Sequence, residues 1–561
     1  MVFLGLHIGI HDTNISLYKD GKCYYAKYER HSGIKHGVGD FTWLLDTLKS
    51  WGVDEPHKQI KHIIHCTAFF EAGLQTDNGY GEDIKRYTEA SMIDKLKKEI
   101  PDTSSTETIF GRHISFNSMS EVSEIILNGS QITSTQTNFS THNIFSNNAI
   151  DPLLWLNYKI IKEMTNNWNA KVDNVDHHKL HTYSTLRDYE QQAVMDGKGS
   201  GSRYALFNDK VFEIGKDGWP LGSYLIPIGI RMGLGTDSEI NNSLDMPGKV
   251  MGLQSYGSVV EKYKHLQGVE LLNYALSGYK GDAVFENKDW LDFVATTHDT
   301  IVNETMQTFR DSFNKDKPIS YTGGVALNVV LNQKLKEENF DIKIPPHCGD
   351  EGLSIGALAY LGKMYDFEVK FDNYPFCQSD ELPWDEVCSN TIKTTAEALA
   401  QGKTVAWYQG HGEIGPRALG NRSILMDPTI KNGKQKINEV KKREPWRPFG
   451  ASVKQDQAHR FFEMTDSPFM MYNTKVKYSG IPAVTHRDGT CRHNTVTPEM
   501  NPAYYELLDE FEKLTGLPML LNTSLNVQGE AICGTRDQAV KVFNTAKQLD
   551  QLVIGSKTWR R

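Results

Sequence analysis

Nothing in this sequence closes a disulfide framework. The seven cysteines stand at 23, 66, 348, 377, 388, 491 and 533, form no Cys-x-x-Cys pair and are odd in number. Reduced thiols in a cytoplasmic protein are the expectation. Long apolar runs are missing too: no stretch has the length a bilayer crossing needs. No basic segment precedes an apolar run at the start, so Met1-Val2-Phe3-Leu4-Gly5-Leu6-His7-Ile8 reads as a first strand rather than a signal peptide. Basic excess is also lacking. Against 61 Lys and Arg stand 70 Asp and Glu, a net charge of -9, which argues against a general polyanion binder because phosphate contacts need a basic field.

What is present is an ordinary globular composition, 39% hydrophobic and 23% charged. At 561 residues the chain is too long for one core, and length alone suggests about three or four domains. Strands are predicted over 2–10, 14–18 and 22–29, separated by His11-Asp12-Thr13 and the hairpin signal Lys19-Asp20-Gly21. A similar pattern recurs after residue 195: Asp196-Gly197-Lys198-Gly199, a strand over 203–208, a turn at Asn208-Asp209 and a further strand. The recurrence points to an internal duplication. Turn amides of such hairpins can bind phosphate, which makes Gly197 and Gly199 candidate nucleotide contacts. Helical periods cover 41–51, 153–168 and 290–313, and residues 101–150 read as surface loops or short helices. Asp, Glu and Pro crowd 364–390, which reads as a linker. Beyond it a helix over 391–402 and a buried strand over 404–408 are expected.

That strand leads into Gln409-Gly410-His411-Gly412-Glu413-Ile414-Gly415-Pro416-Arg417-Ala418-Leu419-Gly420-Asn421-Arg422-Ser423. Glycine lets backbone amides approach a ligand, and arginine offers a planar fork for phosphate or carboxylate oxygens. A second cationic run, Lys441-Lys442-Arg443-Glu444-Pro445-Trp446-Arg447-Pro448-Phe449, follows. Lys441 reads as a solvent-facing helix residue, whereas Arg443 and Arg447 read as site residues held by the two prolines.

Asp176-His177-His178-Lys179-Leu180-His181 places two histidines four apart, where His177 and His181 share one helix face and can grip one metal. Imidazole suits iron, zinc, copper or nickel, so spacing does not choose among them. Asp350, in a glycine turn before a helix, is a candidate third ligand. Gly323-Gly324-Val325-Ala326-Leu327-Asn328 follows a short strand and opens a helix, a mononucleotide-type arrangement.

These motifs, in this order, resemble the NodU/CmcH family of O-carbamoyltransferases, which includes the tobramycin carbamoyltransferase. The resemblance runs through Gly9-Ile10-His11-Asp12, residues 176–181, Lys249-Val250-Met251-Gly252-Leu253, residues 323–328 and Gly349-Asp350-Glu351-Gly352. It is closest in residues 415–423, in Lys441-Lys442-Arg443-Glu444, in Thr485-His486-Arg487-Asp488-Gly489-Thr490 and in Asn522-Thr523-Ser524-Leu525-Asn526. Two departures stand out. The family's Glu-Glu-Arg run is here Lys27-Tyr28-Glu29-Arg30-His31, and Pro247 replaces a Glu two residues before Lys249.

The resemblance implies an α/β protein: a duplicated ASKHA (actin-like ATPase) domain over 1–365, a linker over 366–390 and a YrdC-like α/β domain over 391–561. It implies that the YrdC-like domain makes carbamoyl adenylate and pyrophosphate from carbamoyl phosphate and ATP. The ASKHA domain then transfers the carbamoyl group to a hydroxyl and AMP leaves. Iron(II), or another divalent metal, would sit on His177, His181 and Asp350, and Mg2+ would accompany ATP.

Dense positive charge for two anions would come from Arg417, Arg422, Lys442, Arg443, Arg447 and Arg492, with neutral bonds from Asn522 and Ser524. In the first domain Gly197, Gly199, Lys249, Gly323, Gly324 and Asn328 would contact the nucleotide. An alcohol needs a base, and His11 is the candidate, in a turn after the first strand. His7 reads as core, and His36 as a loop residue near the acceptor.

The acceptor by family analogy is a small-molecule hydroxyl, or a hydroxymethylated pyrimidine, free or in DNA. Nucleic acid is a partner only in that last case, no membrane is involved, and a homodimer is an open expectation. Rival readings are a tRNA threonylcarbamoyl-adenosine-type enzyme, which the acidic net charge opposes, and a non-enzymatic actin-like nucleotide-binding regulator. A hydrogenase-maturation carbamoyltransferase would carry cysteine-rich zinc modules, which are absent here.

Overall fold

The computed structural model describes residues 1–9, 11–66, 106–109, 112–115, 152–196, 201–207, 210–217, 224–232, 234, 242–266, 270–271, 274–275 and 287–561. These form two compact units. The first comprises Met1–Asp188, Gly235–Leu244 and Gly349–Phe371; the second comprises Tyr189–Leu234, Asp245–Cys348 and Asp372–Arg561. Gly197, Gly199, the turn at Asn208-Asp209 and most of 101–150 lie outside the described residues.

The first unit is built on a five-stranded sheet in the order Lys22–Lys27, Asn14–Lys19, Val2–His7, Ile60–Cys66, Lys171–Asn174. The first three strands form an antiparallel meander, and the last two run parallel to Val2–His7. The expected third strand stops at Lys27, and residues 28–32 turn into a short helix instead. Strand alternation sorts the side chains. Leu4 and Leu6 pack under the helices Phe41–Ser50 and Pro152–Asn167. Phe3, Ile64 and Cys66 face the helix Leu353–Tyr365. That helix lies flat on the sheet because Gly5 has no side chain: a Cβ there would sit 2.2 Å from the Ser354 carbonyl oxygen. Gly356 does the same for the helix His177–Tyr183, since its Cβ would meet the Leu180 carbonyl at 2.0 Å.

The second unit contains a five-stranded sheet with the same order and strand senses: Lys210–Asp217, Gly201–Phe207, Gln191–Met195, Ile319–Thr322, Ile342–Lys343. The duplication read from the turns is therefore present as topology. Its first strand, Gln191–Met195, lies before the residue-195 start expected from sequence.

The same unit holds a seven-stranded mixed sheet in the order His493–Val496, Gly450–Lys454, Met519–Ser524, Arg422–Met426, Val405–Tyr408, Gln551–Ile554, Lys557–Arg560. Its core joins Trp407, Ile424, Leu425, Val453 and Leu520 to Ile392 and Leu399 of Ser389–Ala400 and Leu508 and Phe511 of Pro502–Thr515. The described residues are thus mixed α/β. None of the seven cysteines is in a disulfide. Among the described residues no helix is long and apolar enough to cross a membrane.

Candidate active sites

In the first unit, Asp176 caps the helix His177–Tyr183 by accepting from the Lys179 amide at 2.9 Å. One turn of that helix aligns the two histidines, whose Nε2 atoms lie 3.2 Å apart. Asp350 Oδ1 lies 3.5 Å from His177 Nε2 and 3.4 Å from His181 Nε2. Burial alone would raise the Asp350 carboxyl, but His177, His181 and His11 outweigh it and hold the group well below the usual carboxylate range. Three ligand atoms converge within 4.8 Å of one another. Two imidazoles and one carboxylate suit a divalent transition metal, so the donor set fits the group expected there. His177 presents Nδ1 to the Cys66 thiol at 3.6 Å, which leaves Nε2 as the ligating atom.

His11 stands beside this group, with Nδ1 3.1 Å from Asp12 Oδ2 and 3.6 Å from Asp350 Oδ2. Asp12 is buried with φ at +56°, in the left-handed region. Its Oδ2 also takes His36 Nδ1 at 2.8 Å, and its Oδ1 takes Lys27 Nζ at 3.0 Å. Against the burial that would raise it, His36 and Lys27 hold the Asp12 carboxyl well below its ordinary value. Sequence reading missed Asp12 and Lys27. His7 is buried as expected, but its face is that of Phe3 and Gly5, and its ring approaches His177 edge-on with centroids 6.3 Å apart. Burial depresses His7 to about 4, so it is neutral.

In the second unit the arginines sort into two groups. Arg417, Arg443, Arg447 and Arg492 act on one another. Burial and then the Arg417 and Arg447 charges push Arg492 well below the usual guanidinium value. Burial, then Arg447 and Arg492, do the same to Arg443. Arginine does not shed its proton near neutral pH, so the cluster keeps its positive charge. Glu444, 3.6 Å from Arg447, acts against the shift on Arg443.

Arg422 is not brought into that cluster. It is fully buried, 3.1 Å from Asp380, stacked 3.6 Å over the Tyr408 ring, and donates to the carbonyls of Gln409 and Gly410 at 2.6 and 3.0 Å. Its charge is consumed in holding the loop. Lys442 is exposed in a left-handed helix cap with φ at +51°. Lys441 corrects the sequence reading. It is buried, donates to the Ser524 carbonyl and hydroxyl at 2.6 and 3.0 Å, and also bonds Asn526. Asn522 is buried and ties the Ala418 carbonyl to Ser452 Oγ, at 3.1 and 2.8 Å.

The loop glycines also act differently from the expectation. Buried Glu413 accepts the amides of Leu419, Asn421 and Arg422 at 2.8, 2.9 and 3.2 Å, so those N–H groups are committed within the loop. Gly415 and Gly420 are there for packing: a Cβ would stand 1.9 Å from the Pro346 carbonyl oxygen and 2.1 Å from the Tyr504 ring respectively.

The remaining candidates are tied to protein partners. Gly323, with φ at +94°, would set a Cβ 2.3 Å from the Met195 carbonyl oxygen. The Gly324 amide points to Asp196 at 3.4 Å. Asn328 caps the helix Val329–Glu337 and reaches His298 at 3.2 Å. Lys249 is buried with Nζ 2.7 Å from the Leu234 carbonyl oxygen.

Two family models match the chain: "Carbamoyltransferase N-terminus" over residues 239–359 and "Carbamoyltransferase C-terminus" over residues 396–561. The nodulation protein NolNO of Sinorhizobium fredii is 41% identical over 43% of this chain and 39% of its own length. Nodulation protein NolO of Bradyrhizobium diazoefficiens is 34% identical over 55% of this chain and 64% of its own length. The 3'-hydroxymethylcephem-O-carbamoyltransferase of Streptomyces clavuligerus is 32% identical over 44% of this chain and 49% of its own length. The matches thus span less than two thirds of these relatives. The activator of the 2-hydroxyisocaproyl-CoA dehydratase from Clostridium difficile aligns over 66% of this chain and 99% of its own at 14% identity, with a TM-score of 0.31.

Proposed function

Because this chain belongs to the carbamoyltransferase family of enzymes, we propose that it is an ATP-dependent O-carbamoyltransferase working in two steps. The observation that carries the reading is the pair of carbamoyltransferase family models over residues 239–359 and 396–561; the mutual repulsion among Arg417, Arg443, Arg447 and Arg492 supports an anion site in the second of these. Carbamoyl phosphate and the ATP triphosphate are the anions proposed to relieve it. The seven-stranded domain would be the YrdC-like half and the duplicated sheets the actin-like half. In the first step the carbamoyl group ends on the α-phosphate of ATP. Pyrophosphate leaves, and atom balance requires one water and releases one phosphate beside it. Lys441 holds the Ser524 end of its strand.

In the second step a hydroxyl oxygen attacks the carbamoyl carbon, the C–O bond to AMP breaks, and the hydroxyl proton passes to His11. With His11 Nδ1 engaged by Asp12, Nε2 is the nitrogen that accepts it. His177, His181 and Asp350 would hold a divalent metal, iron(II) or another, which supplies Lewis acidity toward an oxygen when bound. Mg2+ would accompany ATP. The acceptor is proposed to be a small-molecule hydroxyl. The hydroxymethyl group in the name of the Streptomyces relative supports a primary alcohol, and a 5-hydroxymethyl-pyrimidine belongs to the same class. The net charge of -9 speaks for a free acceptor over a polymer.

The test is pyrophosphate release on mixing the protein with ATP and carbamoyl phosphate. Release that requires both substrates supports the reading; release independent of carbamoyl phosphate, or none, contradicts it.

A further inference from the structure

Asp12, Glu29 and His36 bring two carboxylate oxygens and an imidazole nitrogen within 4.8 Å of one another in the first unit. Two buried carboxylates at such range cannot both stay ionised without a cation between them. The structure supplies one from the chain itself. Lys27 Nζ lies 3.0 Å from Asp12 Oδ1 and 3.2 Å from Glu29 Oε1, with its side chain 4% exposed.

We propose that Lys27 is a positioning residue acting as a tethered cation: its ammonium fills the place a divalent ion would take among Asp12, Glu29 and His36, and so fixes Asp12 against His11. Three observations converge on this. Asp12 and His36 both hold left-handed backbone, with φ at +56° and +54°, a conformation non-glycine residues keep only where their surroundings impose it. The two residues are locked together, the Asp12 amide donating to the His36 carbonyl at 3.3 Å and the His36 amide to Glu29 Oε2 at 3.0 Å. Finally, the Oδ2 of Asp12 is shared between His11 at 3.1 Å and His36 at 2.8 Å, so the Lys27 contact on Oδ1 decides which way the carboxylate points. The other charged groups acting on Lys27 include Glu351, whose carboxyl burial pushes up toward the neutral form. Lys27 is therefore the counter-charge that Asp12 and Glu29 share: it is the foremost one on Glu29, ahead of Arg30, and acts beside His36 on Asp12.

The inference rests on His11 as the transfer base, but its first readout does not involve turnover. Lys27→Ala opens the space between the carboxylates and is expected to bind one Mn2+ more per chain than the parent in equilibrium dialysis. Lys27→Met fills the same space with an apolar chain and is expected to bind no extra ion. In both variants transfer to an alcohol falls about 10²-fold, the loss that misplacing a catalytic group brings, while pyrophosphate release is unchanged. Methylammonium or Mn2+ restores transfer to Lys27→Ala and not to Lys27→Met. Equal Mn2+ stoichiometry in Lys27→Ala and the parent overturns the inference, as does parental transfer by Lys27→Met. If Lys27→Ala does not fold, the Lys27→Met transfer rate decides alone.

Discussion

His181 Nε2 lies 3.4 Å from Asp350 Oδ1, although the two residues are far apart in sequence. The helix Leu353–Tyr365, pressed onto the sheet at Gly5 and onto the histidine helix at Gly356, makes that approach. Asp350→Asn keeps the shape and removes the charge. It is expected to lower divalent-metal content well below the parent, measured by elemental analysis after dialysis, and to leave pyrophosphate release intact. Retention of full metal content would remove Asp350 from the ligand set.

His11→Ala separates the two steps. Loss of a general base typically costs 10²–10⁴-fold, so transfer is expected to fall by at least ~10²-fold while adenylate still forms. The paired measurement is pyrophosphate release and carbamate-ester yield from one reaction. Equal loss of both half-reactions would contradict the assignment.

The cationic cluster predicts the opposite pattern. Arg492→Met removes a half-buried guanidinium that the Arg417 and Arg447 charges act on. Pyrophosphate release is expected to fall about 10³-fold, in line with losing a preorganised electrostatic donor. Thermal stability should rise or stay level, since the variant relieves like-charge repulsion. A marked loss of stability with normal pyrophosphate release would make the cluster structural.

His493 and His298 make folding pH-dependent. Burial lowers His493 to about 3 and His298 to about 4, below the ordinary value of 6.5. Between those values and 6.5 the unfolded chain binds protons that the folded chain does not, so stability is lost as pH falls through this window. Each ring accounts for on the order of 3–5 kcal/mol across it. Urea midpoints should drop steeply from pH 7 to pH 5, and His493→Phe, which keeps the stack on Phe462 at 4.1 Å, should flatten the drop. An unchanged slope in that variant would contradict the cause.

What the sequence made legible was local. The i, i+4 spacing of His177 and His181 needs only a helical period, and the duplicated meander needs only turn signals. What escaped depends on contacts between distant segments. Asp12 acts through a left-handed loop that returns residue 36 to it, and Glu413 gathers amides from further along its own loop. The glycines of residues 415–420 read as ligand-facing, yet Pro346 and Tyr504 require two of them. Lys441 was misread although a signal was available: it lies four residues after the buried Ile437, on the inward face of its helix.

The most direct test follows the carbamoyl carbon itself. Isotopically labelled carbamoyl phosphate, ATP and a panel of primary alcohols are mixed with the parent and with His11→Ala, and the label is traced by NMR. In the parent the label is expected to appear as a carbamate ester of an alcohol; in His11→Ala it should accumulate on AMP. Label that never joins AMP in either protein, returning only as carbamoyl phosphate and its hydrolysis products, would contradict the account.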